Sequence, residues 1–272
     1  DEDGRALHII GTHTDISAWR SAQQRESGIL RMIIEGRPLQ EVLAEIVRGV
    51  ESTLPGLAGC LMLLDEESGE LRVTQGASLP VFFRKGLEGM RPGPHEACSG
   101  RVMHFGTRMV TRSIADDPCW KPLRALAARA KLQSCWADPV RSGSGSLLGT
   151  LACYRKHSHV PTVAELSAVE AAAQLVAVAL DHHRALASLR ESEERYARAI
   201  SASTDGLWDW DMQSDKVYLS PRWKEMLGYE HDELAGNRQD AFLSRLHPED
   251  VPRVKAARLA HFKRGVPYQV EL

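Results

Sequence analysis

Between Pro161 and Gly206 the chain contains neither glycine nor proline. The two residues that most readily end a helix are absent from a stretch that opens with Thr162 and Glu165, the spacing of a capping box. One continuous helix of about 40 residues, roughly 60 Å long at 1.5 Å per residue, is the expectation. Within it Leu175, Ala179, His182, Leu186, Leu189, Glu193, Tyr196 and Ile200 recur in steps of four and three. That 3.5-residue period is the seam of a coiled coil, with His182 and Glu193 as polar interruptions that favour one register at a cost in stability. The alternative is a helix packed on its own domain, with a break near Arg190.

The remaining chain must fold around that helix. A length of 272 residues suggests about two domains. With 43% apolar and 26% charged residues the composition is that of globular protein. The net charge of -2 creates no global field toward nucleic acid or an acidic membrane. No apolar run approaches the roughly 20 residues of a membrane span, so direct membrane insertion is not expected. The acidic start, Asp1-Glu2-Asp3-Gly4, lacks the apolar centre of a signal peptide. The five cysteines, Cys60, Cys98, Cys119, Cys135 and Cys153, are odd in number and show neither C-x-x-C nor zinc spacing. Buried thiols in a reducing cytoplasm are the simple reading.

Upstream of the long helix, residues 5–12 read as a strand and 16–35 as a helix. Pro38 opens a second helix, whose Leu39, Val42, Leu43, Ile46, Val47 and Val50 form an apolar stripe. Residues 58–65 and 70–76 form a hairpin about the turn Glu66-Glu67-Ser68-Gly69. Residues 86–100 read as loop with a short helix, 107–112 as a strand and 120–131 as a helix. Residues 134–140 and 147–154 are strands joined by Ser142-Gly143-Ser144-Gly145-Ser146.

Residues 26–185 resemble a GAF domain. The resemblance is carried by Leu64-Asp65, by Ile114-Ala115-Asp116-Asp117-Pro118-Cys119-Trp120, and by Leu132 through Val140. Gly149-Thr150-Leu151-Ala152-Cys153-Tyr154 and the Pro161-Thr162…Glu165-Leu166 helix entry complete it. Residues 191–272 resemble the start of a PAS domain: Glu193-Glu194-Arg195-Tyr196, Asp205-Gly206-Leu207-Trp208-Asp209-Trp210-Asp211, Leu219 through Tyr229, and His247-Pro248-Glu249-Asp250. Gly11-Thr12-His13-Thr14-Asp15-Ile16-Ser17 is similar to the closing segment of another PAS domain.

The resemblance implies an α+β fold: a PAS tail over 1–20, a GAF domain over 26–185 with an antiparallel sheet and flanking helices, a linker helix over 162–204, and an incomplete PAS domain over 191–272. The PAS fold implies strands within 206–219, a third near 267–272, and residues 5–12 as the final strand of a preceding domain. The family's ligand pocket lies under loops opposite the flanking helices. By that placement Cys98, Phe105, Trp120 and Trp136 are candidate ligand contacts in the GAF domain. Trp208 and Trp210 share a strand face and, with Trp223 and Met226, are core or ligand contacts in the PAS domain.

Other chemistries fail on missing residues. The GAF region has no Asn, against a cyclic-nucleotide constellation. Residues 191–272 have no Cys, which excludes a flavin adduct, and no Cys precedes a His as in bilin sites. His247 and His261 are weak haem ligands, and His247 reads as a helix entry with Glu249 and Asp250 in the first turn. His157 and His159 alone do not make a metal site. Asp181-His182-His183-Arg184 lacks the continuation of a kinase phosphoacceptor. No cyclase, phosphodiesterase, P-loop or nucleophile-elbow motif occurs, and the short basic runs do not support nucleic-acid binding.

The expectation is therefore a cytoplasmic, non-catalytic input fragment. It senses an unidentified small molecule, with no cofactor assigned, and signals as a homodimer through the linker helix. By resemblance the parent carries a cyclic di-GMP cyclase or phosphodiesterase, with a sensor histidine kinase as the alternative. Two further alternatives are a structural dimerisation spacer and a small redox enzyme using Cys98, Cys119 and Cys135.

Overall fold

The structure, a computed structural model, describes residues 17–202, 205–230 and 245–271. The strand expected over residues 5–12 lies outside them. The chain divides into two compact units, one ending at Ala187 and the other spanning Ser188–Leu272.

The first unit begins with helix α1 (Ser17–Ile34), which ends at Gly36, and α2 (Leu39–Thr53), which starts after Pro38. The stripe of α2 is buried as its spacing requires: Val42, Leu43, Ile46, Val47 and Val50 all face inward. Strands β1 (Leu57–Asp65) and β2 (Glu70–Gln75) form the hairpin, with Asp65 Oδ1 accepting from the Ser68 N–H at 2.9 Å in the turn. Helices α3 (Val81–Leu87) and α4 (Cys98–Phe105) follow, then β3 (Met109–Thr111), a 3-10 turn (Pro118–Trp120), and α5 (Arg124–Arg129). Strands β4 (Ser134–Arg141) and β5 (Leu147–Arg155) close the sheet, and α6 (Val163–Ala202) leaves it.

The five strands pair antiparallel in the order β2-β1-β5-β4-β3. Successive side chains on a strand point to opposite faces, so one sheet serves two cores. Leu61, Trp136, Leu151 and Cys153 face α1, α2 and the first half of α6, against Ile46, Val169, Ala173 and Val176. Cys60, Met62, Cys135, Ala152 and Tyr154 face the opposite way, against α3, α4, α5 and the loops. Each fully buried aliphatic or aromatic side chain contributes about 1.5–3 kcal/mol. A sheet covered on both faces is the firm part of this molecule.

In the second unit β6 (Trp208–Asp211) and β7 (Lys216–Leu219) pair as a two-stranded hairpin, with Trp208 opposite Leu219 and Trp210 opposite Val217. Helix α7 (Pro221–Met226) is capped by Ser220, whose Oγ accepts from the Trp223 N–H at 3.2 Å. Helix α8 (Asp250–Arg264) ends at Gly265. The third strand expected near 267–272 is absent among the described residues. Side chains hold that segment instead: the Tyr268 ring lies edge-on to Trp208 with centroids 6.0 Å apart. Pro267 has no N–H to offer a ladder.

Candidate functional site

Three elements of the first unit meet at a buried polar cluster. Cys98 opens α4 and Arg101 follows one turn later on the same face. Thr111 ends β3, and Asp117 caps the 3-10 turn by accepting from the Cys119 N–H at 2.9 Å. The Thr111 hydroxyl donates to Asp117 Oδ2 at 2.7 Å and accepts from Arg101 Nη2 at 3.0 Å and from Trp120 Nε1 at 3.2 Å. Arg101 Nη2 also donates to Asp117 Oδ2 at 3.1 Å. The Cys98 sulfur lies 3.2 Å from Thr111 Oγ1 and 4.0 Å from Arg101 Nη2.

These contacts set the charge states. Burial pushes the Asp117 carboxyl up, but hydrogen bonds from Thr111 and Cys119 and the Arg101 charge outweigh it and hold the group below the ordinary range. The Cys98 thiol is brought down to about 7, first by its hydrogen bond with Cys135 and then by Thr111 and Arg101, against the effect of burial. Burial drives the Cys60, Cys135 and Cys153 thiols up. The cluster thus ties α4, β3 and the 3-10 turn into one electrostatic unit. Its thiol is closed to solvent: Cys98 is buried, and of the five cysteines only Cys119 is partly exposed.

Cys98 and Trp120 are brought together through Thr111; the other two GAF candidates are not. Trp136 lies on the opposite face of β4, because its neighbours Cys135 and Ala137 already take the loop-covered face, and it packs with the flanking helices. Phe105 sits at the end of α4, 53% exposed, with its ring against His104. The space under the loops is filled by Phe83, Trp120 and Tyr154, whose rings meet edge to face at 5.4 and 6.2 Å. Beside this filled core an open cleft of about 520 Å³ lies among the Ser113–Ala115 loop, α5, Gln133 and Lys156.

The exit helix is anchored by Glu165. Its Oε2 accepts from the Thr162 N–H at 2.7 Å and lies 2.8 Å from His159 Nε2, and its Oε1 accepts from Arg155 at 2.5 Å. Burial raises this carboxyl, yet the hydrogen bonds from Thr162, His159 and Arg155 bring it down to about 2. Further along, Arg108 Nε donates to Asp138 Oδ1 at 2.6 Å and its Nη2 to Glu170 at 2.9 Å, bridging β4 to α6. Asp181 Oδ2 accepts from the Gly143 N–H at 2.7 Å.

The expected seam splits in two. Ala179 is buried in its own unit and Leu175 packs against the same core, so these two positions serve the domain rather than a second helix. His182 and Leu186 are half-buried, Leu189 is 55% exposed and Tyr196 63% exposed. Ile200 is within the helix, but its side chain lies outside the described residues. By length and composition α6 could cross a membrane, which corrects the expectation that no such apolar run exists. Its apolar first half is instead part of the unit's core, with Val169 and Val176 fully buried.

In the second unit Trp208 and Trp210 share a face and line a small apolar cavity with Val217, Val254 and Tyr268. Trp223 packs elsewhere: a Cβ on Gly206 would stand 2.6 Å from the Trp223 Cα, so glycine is required for α7 to approach the hairpin. Met226 is 58% exposed and is not among the residues that line that cavity. Among the described residues no group of three metal-ligating side chains converges.

Comparison with known proteins agrees with this architecture. The GAF domain model matches residues 36–181, more than half of the chain, and the PAS fold model matches residues 216–272. A methyl sulfide methyltransferase-associated sensor from Methanosarcina acetivorans is 26% identical over 278 aligned residues, covering 97% of this chain. The chain spans only 27% of that protein's length. Among solved structures, the GAF domain of a phosphoenolpyruvate-protein phosphotransferase from Coxiella burnetii aligns with a TM-score of 0.53 at 20% identity, over 63% of this chain and 99% of that one. The free methionine-R-sulfoxide reductase of Neisseria meningitidis, solved with its substrate, aligns with a TM-score of 0.50 at 16% identity, over 66% of this chain and 98% of its own. At these identities the two structures speak for the fold alone.

Proposed function

The chain belongs to the GAF domain family, with a PAS fold following in the same chain, and we propose that it is the sensory input and relay region of a cytoplasmic signalling protein. In this reading a small molecule binds the GAF unit and α6 carries the change outward. The observation that carries it is the two-part character of α6. Its first half belongs to the GAF core, while its second half presents Leu189 and Tyr196 to solvent on the 3.5-residue period. A ligand that favours one packing of the core over another would bias the helix, and only that differential affinity can produce a signal. The exposed half pairs with a second copy of this chain as a parallel coiled coil. The fragment does no chemistry of its own. By the resemblance of its Trp-Asp-Trp-Asp strand and its domain style, the output is a cyclic di-GMP cyclase or phosphodiesterase. The curated relative is itself named a sensor, which supports the input role without naming an output.

Cross-linking tests the reading. Leu189→Cys, placed in a Cys119→Ser background, should form an interchain disulfide under mild oxidation, whereas Arg190→Cys should form little. A monomer at high micromolar concentration, with no difference between the two positions, would overturn the relay.

A further inference from the structure

A helix whose C-terminus turns through a left-handed residue favours glycine there, because a Cβ strains that conformation. This chain follows the rule at α1, α4 and α8, with Gly36 at φ +69°, Gly106 at +71° and Gly265 at +66°. Helix α5 breaks it. Its cap has the same paired pattern as α1: Lys131 N–H donates to Ala128 O at 3.0 Å and Leu132 N–H to Ala127 O at 2.9 Å. The left-handed position itself, at φ +57°, is held by Lys131. A lysine is kept where glycine would sit without strain, and strain held in place by its surroundings points to a use for the side chain.

That use is visible in what surrounds it. Lys131 lines the open cleft of about 520 Å³ together with Arg124 and Lys156, and no carboxylate lines it. Among the described residues neither lysine's ammonium group has an ion-pair or hydrogen-bond partner. Arg124 is half-buried; its Nη2 donates to the Asp117 carbonyl at 3.1 Å, and its Nε is buried with no partner. Ser113 and Gln133 add neutral hydrogen-bonding groups, and the buried Ile114 and Leu132 form an apolar wall. The volume lies in the range of small-molecule sites.

We propose that this cleft binds a small organic oxyanion carrying two or more negative charges, a phosphate ester or polycarboxylate, held by Arg124, Lys131 and Lys156. The anionic groups sit among the three cations and the uncharged part lies against Ile114 and Leu132. The guanidinium and the two lysines contribute positive charge around the cleft. The site lies beside the aromatic-filled core rather than inside it, so occupancy needs no repacking of Phe83, Trp120 or Tyr154. It names a ligand class for the sensory role proposed above and rests on that reading for its purpose. Binding and dimerisation are read separately in the test.

The test uses the whole chain, with pyrophosphate and citrate as probes. Backbone amide shifts of isotope-labelled protein should saturate at Ser113, Lys131, Gln133 and Lys156, with the effect weakening as salt rises. The stronger of the two probes assigns phosphate or carboxylate chemistry. Lys131→Gly should weaken binding by about tenfold or more, the loss expected for one charge-assisted contact, while raising the melting temperature. Lys156→Gln should weaken binding without changing stability. Saturable shifts centred elsewhere, no saturation with either probe, or wild-type affinity in Lys131→Gly would each overturn the site. Sedimentation of the same samples follows the dimer. Lost binding with an intact dimer sinks only the site, and binding by a monomer sinks only the relay.

Discussion

Two tryptophan-bearing hairpins of this chain end in opposite circumstances. In the β4–β5 hairpin Trp136 is fully buried, with helices over its face of the sheet. In the β6–β7 hairpin Trp208 is 48% exposed, on a ribbon that has two strands among the described residues. The residue type is the same, and the pairing is antiparallel in both. What differs is the number of layers. A sheet of five strands gives a large side chain neighbours on both flanks and a cover above, while a two-stranded ribbon is marginal by itself. Burial of an aromatic is therefore a property of the surrounding layers, and the two units should respond differently to the same kind of damage.

The largest expected effect is in the first unit. Leu151 is fully buried on the central strand β5, and Leu151→Ala should cost about 2–5 kcal/mol. Trp208→Ala, despite removing far more atoms, should cost less than about 1 kcal/mol in the first unit's transition, because Trp208 belongs to the other compact unit. Denaturant unfolding, with the two units followed by hydrogen exchange, separates the effects. Equal losses in both units would break the comparison.

Next is the bridge from the sheet to α6. Arg108→Ala leaves the Asp138 carboxylate buried without its cation, and about 3 kcal/mol should be lost at neutral pH. Burial already holds the Asp138 carboxyl above its ordinary range, with Arg108 pulling it down. A raised carboxyl prefers its proton in the folded state, so stability is full below the unfolded value and falls as pH rises through the folded one. The penalty of Arg108→Ala should accordingly be smaller at about pH 5 than at about pH 8. A penalty independent of pH would show that packing, rather than charge, sets it.

A smaller loss is expected at the entry of α6. Glu165→Gln should cost about 1–2 kcal/mol through the helix cap. Its sign with pH is opposite. The Glu165 carboxyl is lowered from 4.5 to about 2, so its stabilisation is complete above the unfolded value and is lost as pH falls toward the folded one. The variant should flatten the acid limb of stability between about pH 5 and pH 2. An unchanged acid limb would mean that another carboxylate controls it.

The smallest effect concerns the thiols. Native protein should react quickly with a maleimide at Cys119 alone, since the other four are buried, and Cys119→Ser should leave stability within about 0.5 kcal/mol. Fast labelling of Cys98 would reveal an opening of the buried cluster that its packing does not show.

Periodicity made most of the first unit legible. The α2 stripe, the β1–β2 hairpin, the β4 and β5 strands and the unbroken α6 follow from spacing, because each has a repeating apolar face or a clear turn. Helix α3 does not: seven residues interrupted by Gly86 have little helical pattern, and burial of Phe83 and Leu87 fixes them. The buried polar cluster was legible only in part. Cys98 and Trp120 lie in segments that resemble the family's loops, but Arg101, Thr111 and Asp117 join them only because β3 and the 3-10 turn fold back on α4. Trp136 was placed on the wrong face because resemblance gives the strand and not the parity of its residues. The Lys131 signal was present in the chain as a missing glycine at the end of α5, yet it acquires meaning only with the backbone angle. A third strand near 267–272 was expected by analogy, and Tyr268 packs on Trp208 without making a ladder.

The contrast between the two halves of α6 underlies the proposed relay, and hydrogen exchange along that helix as a function of protein concentration tests it most directly. Amides of Val169–Leu180 should be protected equally at every concentration, since they belong to the core of their own unit. Amides of Leu186–Ala199 should gain protection as concentration rises, because a second copy covers Leu189 and Tyr196. Protection in 186–199 that does not change with concentration would contradict the account.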